Sequence, residues 1–523
     1  MKQEITGQKQ KGLLRSTGIV SVFTLMSRVL GLVRDVVVAN MFGAGAGADA
    51  FFVAFKIPNF FRRLFAEGAF SQAFVPVLSE YRAQRDLAEV RLLISYTSGT
   101  LGGVLIAGTI FCVVFAPAVT YLFAPGFHDT QGKFDLAADM LRLTFPYLLL
   151  ISLTAFLGSI LNSYGKFAIP AFTPVILNIV LISFAIFISP LMDPPILSLA
   201  WGVLASGVIQ LVFQMPFIKQ VNLLVRPSWG WSDPGVKRIL ALMVPALFGV
   251  SVAQINLLLD TVLASFLENG SISWLYYSDR LMELPLGVFG IAIATVILPS
   301  LSRKHSTKSS ESFSGTLDWA VRMVLLIGLP ASLALVLLAK PMLITLFQYG
   351  EFAPSDVDKA SMSLQAYSLG LLAFMVIKVL APGYFARQDT KTPVSVGIKA
   401  LVVNMVLNLA LIIPLAHVGL ALATSLSAAL NAALLYLGLR KEGVYQPQAG
   451  WAIYLLRLAA AAGLMIALIL WMDRDVSEWL SWGWEKRVWQ LAQVVVLGLL
   501  SYVGTLLILG MRPRDLLTKP GID

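Results

Sequence analysis

Residues 27–43 read SRVLGLVRDVVVANMFG. The stretch is apolar enough to lie in a membrane, yet Arg28, Arg34 and Asp35 sit inside it. A charge at the bilayer centre costs about 2.5–3.5 kcal/mol on insertion scales. A spanning helix keeps one only where it meets water, a partner or a ligand. The pattern continues outward: Lys56, Arg62 and Arg63 lie in the next apolar stretch, and Arg280 in SWLYYSDRLMELPLGVFG, residues 273–290. Cations converging on one cavity would form a receptor for a membrane-borne anion. Asp35, Asp49, Asp279 and Glu283 are acids placed to pair with them until a stronger anion displaces them. Asp49, Lys56 and Arg63 recur every seven residues and share a helix face, as do Arg28 and Asp35. For Arg62 and Arg63 a plainer reading stands beside this one: side chains near a helix end reaching the headgroups.

Composition supports a membrane protein. The chain is 57% hydrophobic and 13% charged, with mean hydropathy +0.79, against roughly 25% charged residues in soluble domains. The net charge of +10 sits in short loops, so no nucleic-acid partner is expected. Cys112 is the single cysteine, which excludes a disulfide within one chain. His128, His305 and His417 are too scattered for a metal-ligand motif, and no metal site is expected. The polar, basic start MKQEITGQKQKG shows no signal-peptide pattern.

A spanning helix needs roughly 20 apolar residues. Fourteen runs qualify: 14–41, 49–80, 92–123, 133–162, 167–189, 195–218, 236–268, 271–301, 315–347, 357–386, 392–414, 417–439, 449–471 and 487–511. The second is interrupted by Pro58, Arg62, Arg63 and Glu67, which predicts either a broken helix or irregular backbone lining a cavity. With this count, 22 basic loop and tail residues fall on the side of the termini and 4 on the other. The positive-inside rule then places both termini in the cytoplasm.

The first twelve spans repeat internally. Pro76 in FVPVLSEY and Pro299 in VILPSLSRK are 223 residues apart. So are Pro170 and Pro393, and Ala200 and Ala423; Asp35 and Asp260 are 225 apart. Six helices per half is an even number, so the halves insert in the same sense. Parallel repeats place a substrate site between them. The chain from Gly450 onward lies outside the repeat, and Trp479, Trp482, Trp484 and Trp489 there read as an interfacial belt.

No GxxxxGK[ST] loop is present, so no nucleotide is expected as direct fuel. Nothing resembles a nucleophile elbow, so the chain reads as a binder and mover rather than an enzyme. Asp260 lies mid-helix in AQINLLLDTVLASFL; Asn404 and Asn408 are an i,i+4 pair, with Thr424 in the next helix. These oxygens would suit sodium, or Asp260 would carry a proton. The alternative is plain interhelical hydrogen bonding.

Four long segments carry a family resemblance: SRVLGLVRD (27–35), residues 42–81 from FGAGAGADAFF to FVPVLSEY, residues 273–302 from SWLYYSDR to VILPSLS, and KVLAPGYFARQDTKTP (378–393). They resemble the MurJ (MviN) lipid II flippases of bacteria, with a gammaproteobacterial character, over about Gly12 to Arg512. The resemblance implies the multidrug/oligosaccharidyl-lipid/polysaccharide exporter fold, with two six-helix lobes around a central cavity and two added C-terminal helices forming a groove for the lipid tail. It implies substrate-binding roles for Arg28, Arg34, Asp35, Asp49, Arg62, Arg280 and Glu283, with Lys56, Arg63, Ser273 and Asp279 as secondary cavity residues. A sodium site of part of the family falls on Asp260, Asn404, Asn408 and Thr424. Its second-lobe acid is the neutral Asn408 here.

The expected architecture is therefore an all-α polytopic membrane protein. A cytoplasmic extension (1–13) precedes an N-lobe (14–220), a cytoplasmic linker (221–235), a C-lobe (236–441), the tail-groove helices (442–511) and a cytoplasmic tail (512–523). The expected activity is transfer of lipid II, an undecaprenyl-diphosphate peptidoglycan precursor, across the bacterial inner membrane by alternating access. Its driving force would be sodium, protons or the membrane potential, with no other cofactor. Membrane lipids and the cell-wall synthesis machinery are the other expected partners. The rivals are a flippase for another polyprenyl-diphosphate glycan, a cation-coupled drug exporter of the same fold, and a scaffold without transport activity.

Overall fold

The computed structural model describes residues 2–306 and 309–512. Among them every regular element is a helix. The chain divides into two compact units, Met1–Ile272 and Ser273–Asp523.

The first unit holds α1 (Lys2–Phe42), α2 (Ala46–Phe61), α3 (Ser71–Gln84), α4 (Leu87–Val114), α5 (Ala116–Phe123), α6 (Lys133–Thr144), α7 (Pro146–Ser163), α8 (Ala168–Ser183), α9 (Leu197–Gln220) and α10 (Pro234–Ser265). Between α2 and α3 the backbone forms a π-helical stretch, Arg62–Phe70. The interruption expected there is thus a widened helix, a form that recurs at functional sites. The core gathers on its far side. Phe70 and Phe74 stack at 5.3 Å, and Phe74 meets Phe156 of α7 at 5.0 Å. Ile160, Ile218 and Ile239 complete this cluster from α7, α9 and α10.

The first compact unit reaches beyond the 221–235 linker to include α10. Helix α10 packs along the π-helical stretch and α3, so the first unit ends after it. The linker is docked rather than free. Ser228 N donates to Ser95 O at 3.0 Å, and Gly230 N to Thr100 Oγ1 at 3.1 Å, both on α4. Glycine permits this approach: a Cβ on Gly99 would stand 2.1 Å from Ser228 O, and one on Gly103 would stand 2.6 Å from the Trp229 ring. At the far end, Ser265 Oγ accepts from Gly126 N at 3.1 Å.

The second unit holds most of α11 (Ser271–Pro285), then α12 (Ile291–Ser306), α13 (Ser310–Leu337), α14 (Ala339–Phe347), α15 (Pro354–Phe385), α16 (Lys391–Lys441), α17 (Trp451–Met472), α18 (Val476–Ser481) and α19 (Trp484–Ile508). A second π-helical stretch, Leu286–Gly290, joins α11 to α12. Helix α16 is two helices joined at Ala416, whose φ of 47° breaks the run just after Pro414. Helices α17 and α19 pair through Leu458, Met465, Val494 and Tyr502. Tyr502 and Tyr454 hydroxyls fasten them to α13 carbonyls of Leu326 and Arg322, at 2.9 and 2.5 Å. Their outer faces stay apolar and open, with Trp471 80% and Ile508 86% exposed.

Nine helical segments among the described residues are long and apolar enough to cross a membrane, and α16 supplies two crossings. The remaining expected runs are helical too: α1, α2 through α3, α10, and α11 through α12. All fourteen runs thus lie on helices, in a polytopic all-α membrane protein. Those last four carry most of the charged residues singled out from the sequence.

Candidate functional site

In the first unit, Arg34 and Asp35 lie on α1 against α8, 6% and 3% exposed. Arg34 Nη2 and Nε donate to Asp35 Oδ1 at 2.6 and 3.0 Å, and Nη1 donates to Asn178 Oδ1 at 3.1 Å. Asn178 in turn donates to Ser27 O at 3.0 Å. The guanidinium fork is therefore pre-shaped, with oxygen acceptors on two sides. Arg28, on the same α1 face as Asp35, is half-buried and makes no hydrogen bond or ion pair with a described residue.

Arg62 opens the π-helical stretch, half-buried, and its Nε donates to Asn59 Oδ1 at 3.0 Å. Lys56 is half-buried six residues earlier, and Arg63 is exposed. Asp49 is 1% exposed. Its Oδ2 accepts from Lys133 Nζ at 2.9 Å and from Gly270 N at 2.8 Å, and Lys133 also donates to Asn269 Oδ1 at 2.8 Å. Lys133 counted only as a loop charge in the sequence; here it is buried as the partner of Asp49. Asp260 is half-buried on α10.

In the second unit, Arg280 of α11 is half-buried. Its Nη1 lies 3.3 Å from Glu283 Oε2, and the guanidinium rests over the Tyr276 ring at 5.0 Å, with Nη2 3.3 Å from the Tyr276 hydroxyl. Ser273 is fully buried and Asp279 half-buried on the same helix. Asn404, Asn408 and Thr424 do come together across the two halves of α16. Asn408 Nδ2 donates to Asn404 Oδ1 at 2.9 Å, and Asn404 Nδ2 reaches Thr424 Oγ1 at 3.4 Å and Ser427 Oγ at 3.3 Å. That geometry matches interhelical hydrogen bonding. Among the described residues no cluster of acidic, histidine or cysteine side chains suits a metal ion.

Asn178, Lys133 and Asn269 were not singled out from the sequence. Asn178 had one available signal, as the lone amide in the apolar run PVILNIVLIS of α8.

Comparison with known proteins gives one consistent result. The model of the family described as lipid II flippase MurJ matches residues 38–484. A Vibrio cholerae protein named a probable lipid II flippase MurJ is 56% identical over 98% of this chain and 99% of its own length. A solved structure of lipid II flippase MurJ in an inward closed conformation superposes with a TM-score of 0.80 at 28% identity, covering 95% of this chain and 99% of that one. An inward-facing multidrug transporter of the MATE family, in the MOP superfamily, shares the fold with a TM-score of 0.67 at 15% identity, over 81% of this chain and 97% of its own. The chain belongs to the MurJ family of lipid II flippases.

Proposed function

We propose that this protein moves lipid II from the cytoplasmic to the periplasmic leaflet of the inner membrane, with both termini in the cytoplasm. The diphosphate engages Arg28, Arg34, Arg62 and Arg280, and the open apolar faces of α17 and α19 accommodate the lipid tail. One observation carries the reading: Arg28 sits within a spanning helix without a hydrogen-bond or ion-pair partner among the described residues. A cation so placed is costly unless a ligand anion completes it. Arg34 adds a fork whose geometry suits phosphate oxygens as well as the Asp35 carboxylate it now holds. A drug exporter of the same fold would carry acids and aromatics in place of this arginine set, and a scaffold would gain nothing from buried charge.

The membrane potential, negative inside, provides about 2.3 kcal/mol per charge per 100 mV to reset the cationic empty carrier. Asp260 is the group to test for sodium or proton coupling, with the neutral Asn408 leaving at most a weak sodium effect. The experiment is lipid II translocation in proteoliposomes with imposed sodium, proton and electrical gradients. Movement of lipid II that Arg28→Ala abolishes supports the reading. Wild-type transport by the folded Arg28→Ala protein overturns it. An unchanged ion response in Asp260→Asn removes that acid from coupling.

A further inference from the structure

Helix α11 carries two different faces. At about 100° per residue, Tyr276, Arg280 and Glu283 group on one side, all half-buried. Trp274, Tyr277, Ser278 and Leu281 group on the other, at 5%, 0%, 0% and 0% exposure. The buried face meets α15 through two side-chain bonds set one turn apart on both helices. Trp274 Nε1 donates to Asp356 Oδ1 at 2.9 Å, and Ser278 Oγ to Ala360 O at 2.7 Å. Asp356 is itself fixed, because its Oδ2 accepts from Ala353 N at 2.9 Å as part of the capping of α15. The indole is also walled in. The His417 ring stands 5.0 Å away, Lys359 Nζ lies 5.5 Å over the indole, and His417 Nε2 is 3.1 Å from Lys359 O.

Two bonds one turn apart fix a helix both along its axis and in rotation. A slip of one residue would turn Arg280 by about 100°. We propose that Trp274, Ser278 and Asp356 are positioning residues for the substrate anion, acting through the rotation and height of α11 and so through Arg280. This rests on the reading of Arg280 as a diphosphate ligand. No ligand need touch the three residues themselves.

The test measures binding of undecaprenyl diphosphate and of lipid II to purified full-length protein in nanodiscs, per folded molecule. Trp274→Phe keeps an aromatic ring, though a smaller one, and deletes the donor; it should weaken both ligands about tenfold, as should Asp356→Ala. Asp356→Asn keeps an oxygen for the indole and should bind within about threefold of wild type. The Trp274→Phe/Asp356→Ala double variant should bind no more weakly than Asp356→Ala, because both act through one bond. Ser278→Ala reads the second bond independently and keeps the proposal testable should a Trp274 variant fold poorly. Wild-type affinity in Trp274→Phe and Ser278→Ala, or additive losses in the double variant, overturns the proposal. Arg280→Ala separates the two readings. If it binds the diphosphate lipid like wild type, the anion site itself is misassigned. If it loses affinity while Trp274→Phe does not, only the positioning role falls.

Discussion

Lys133 Nζ lies 2.9 Å from Asp49 Oδ2, with the two side chains 2% and 1% exposed. The pair ties the start of α6 to the start of α2, and through Asn269 and Gly270 to the chain leaving α10. Breaking a buried pair from one side strands a charge, at a cost of about 3–5 kcal/mol. Lys133→Met should therefore lower the thermal midpoint sharply. Lys133→Met with Asp49→Asn should recover most of the loss, because the amide still accepts from Gly270 N without a buried charge. A single variant as stable as wild type in thermal unfolding would show that the pair contributes nothing.

Alanine at Arg34 or Arg62 should abolish complementation of a flippase-depleted strain at normal protein levels. Each loses a charge-assisted contact worth about 1.5–3 kcal/mol. Lysine should rescue partly, since it keeps the charge and loses the fork. Arg82, which counts as a loop charge in the sequence, lies in the last turn of α3 and is an unsuitable control, because it bonds Ser163 O and lies 4.3 Å over the Tyr164 ring. Exposed Arg91 serves instead and should tolerate alanine. Lower abundance with full activity per molecule would favour headgroup-seeking arginines over an anion site.

Orientation can be read by cysteine labelling in a Cys112→Ser background. Exposed Asp129, Asp193 and Glu351 should react from outside intact cells, and Arg85 and Lys441 only after permeabilisation. Asp356 would have been a natural choice from sequence, but it is 8% exposed and bonded to Trp274. Lys308, a third basic position that the sequence places on the cytoplasmic side, lies outside the described residues. Labelling of Arg85→Cys from outside would invert the topology.

Asp389, in the loop before α16, shows the sign of one pH effect. Its Oδ1 accepts from Thr392 N at 3.0 Å. Hydrogen bonds from the Thr392 side chain and then its backbone hold the carboxyl below its usual range. A lowered acid stabilises above its ordinary value near 4, and that contribution is lost as pH falls through the lower folded value. Asp389→Ala should cost about 1 kcal/mol as a lost cap and flatten the acid side of the stability profile. Equal acid sensitivity in variant and wild type would exclude this group.

Sequence pattern was enough to locate the helices, because a bilayer demands long apolar runs and punishes charge. All fourteen runs lie on helices, and even the disturbance at Arg62 proved real, as a π-helical stretch. Partners were less legible. Period alone put Asp49 and Lys56 on one face, but it could not find Lys133, 84 residues away. Nor could it find Asn178, 144 residues from Arg34. Loop charge and buried charge look the same in sequence. They separate only when the chain brings a distant acid to meet them.

The packing of α10 also has a mechanical consequence. The same π-helical stretch that carries Arg62 lies along α10, and the linker leading into α10 is bonded to α4 through Ser228 and Gly230. A shift of α4 is therefore passed to α10 by hydrogen bonds rather than by a slack tether, and reaches the backbone beneath Arg62 without any loop having to stretch.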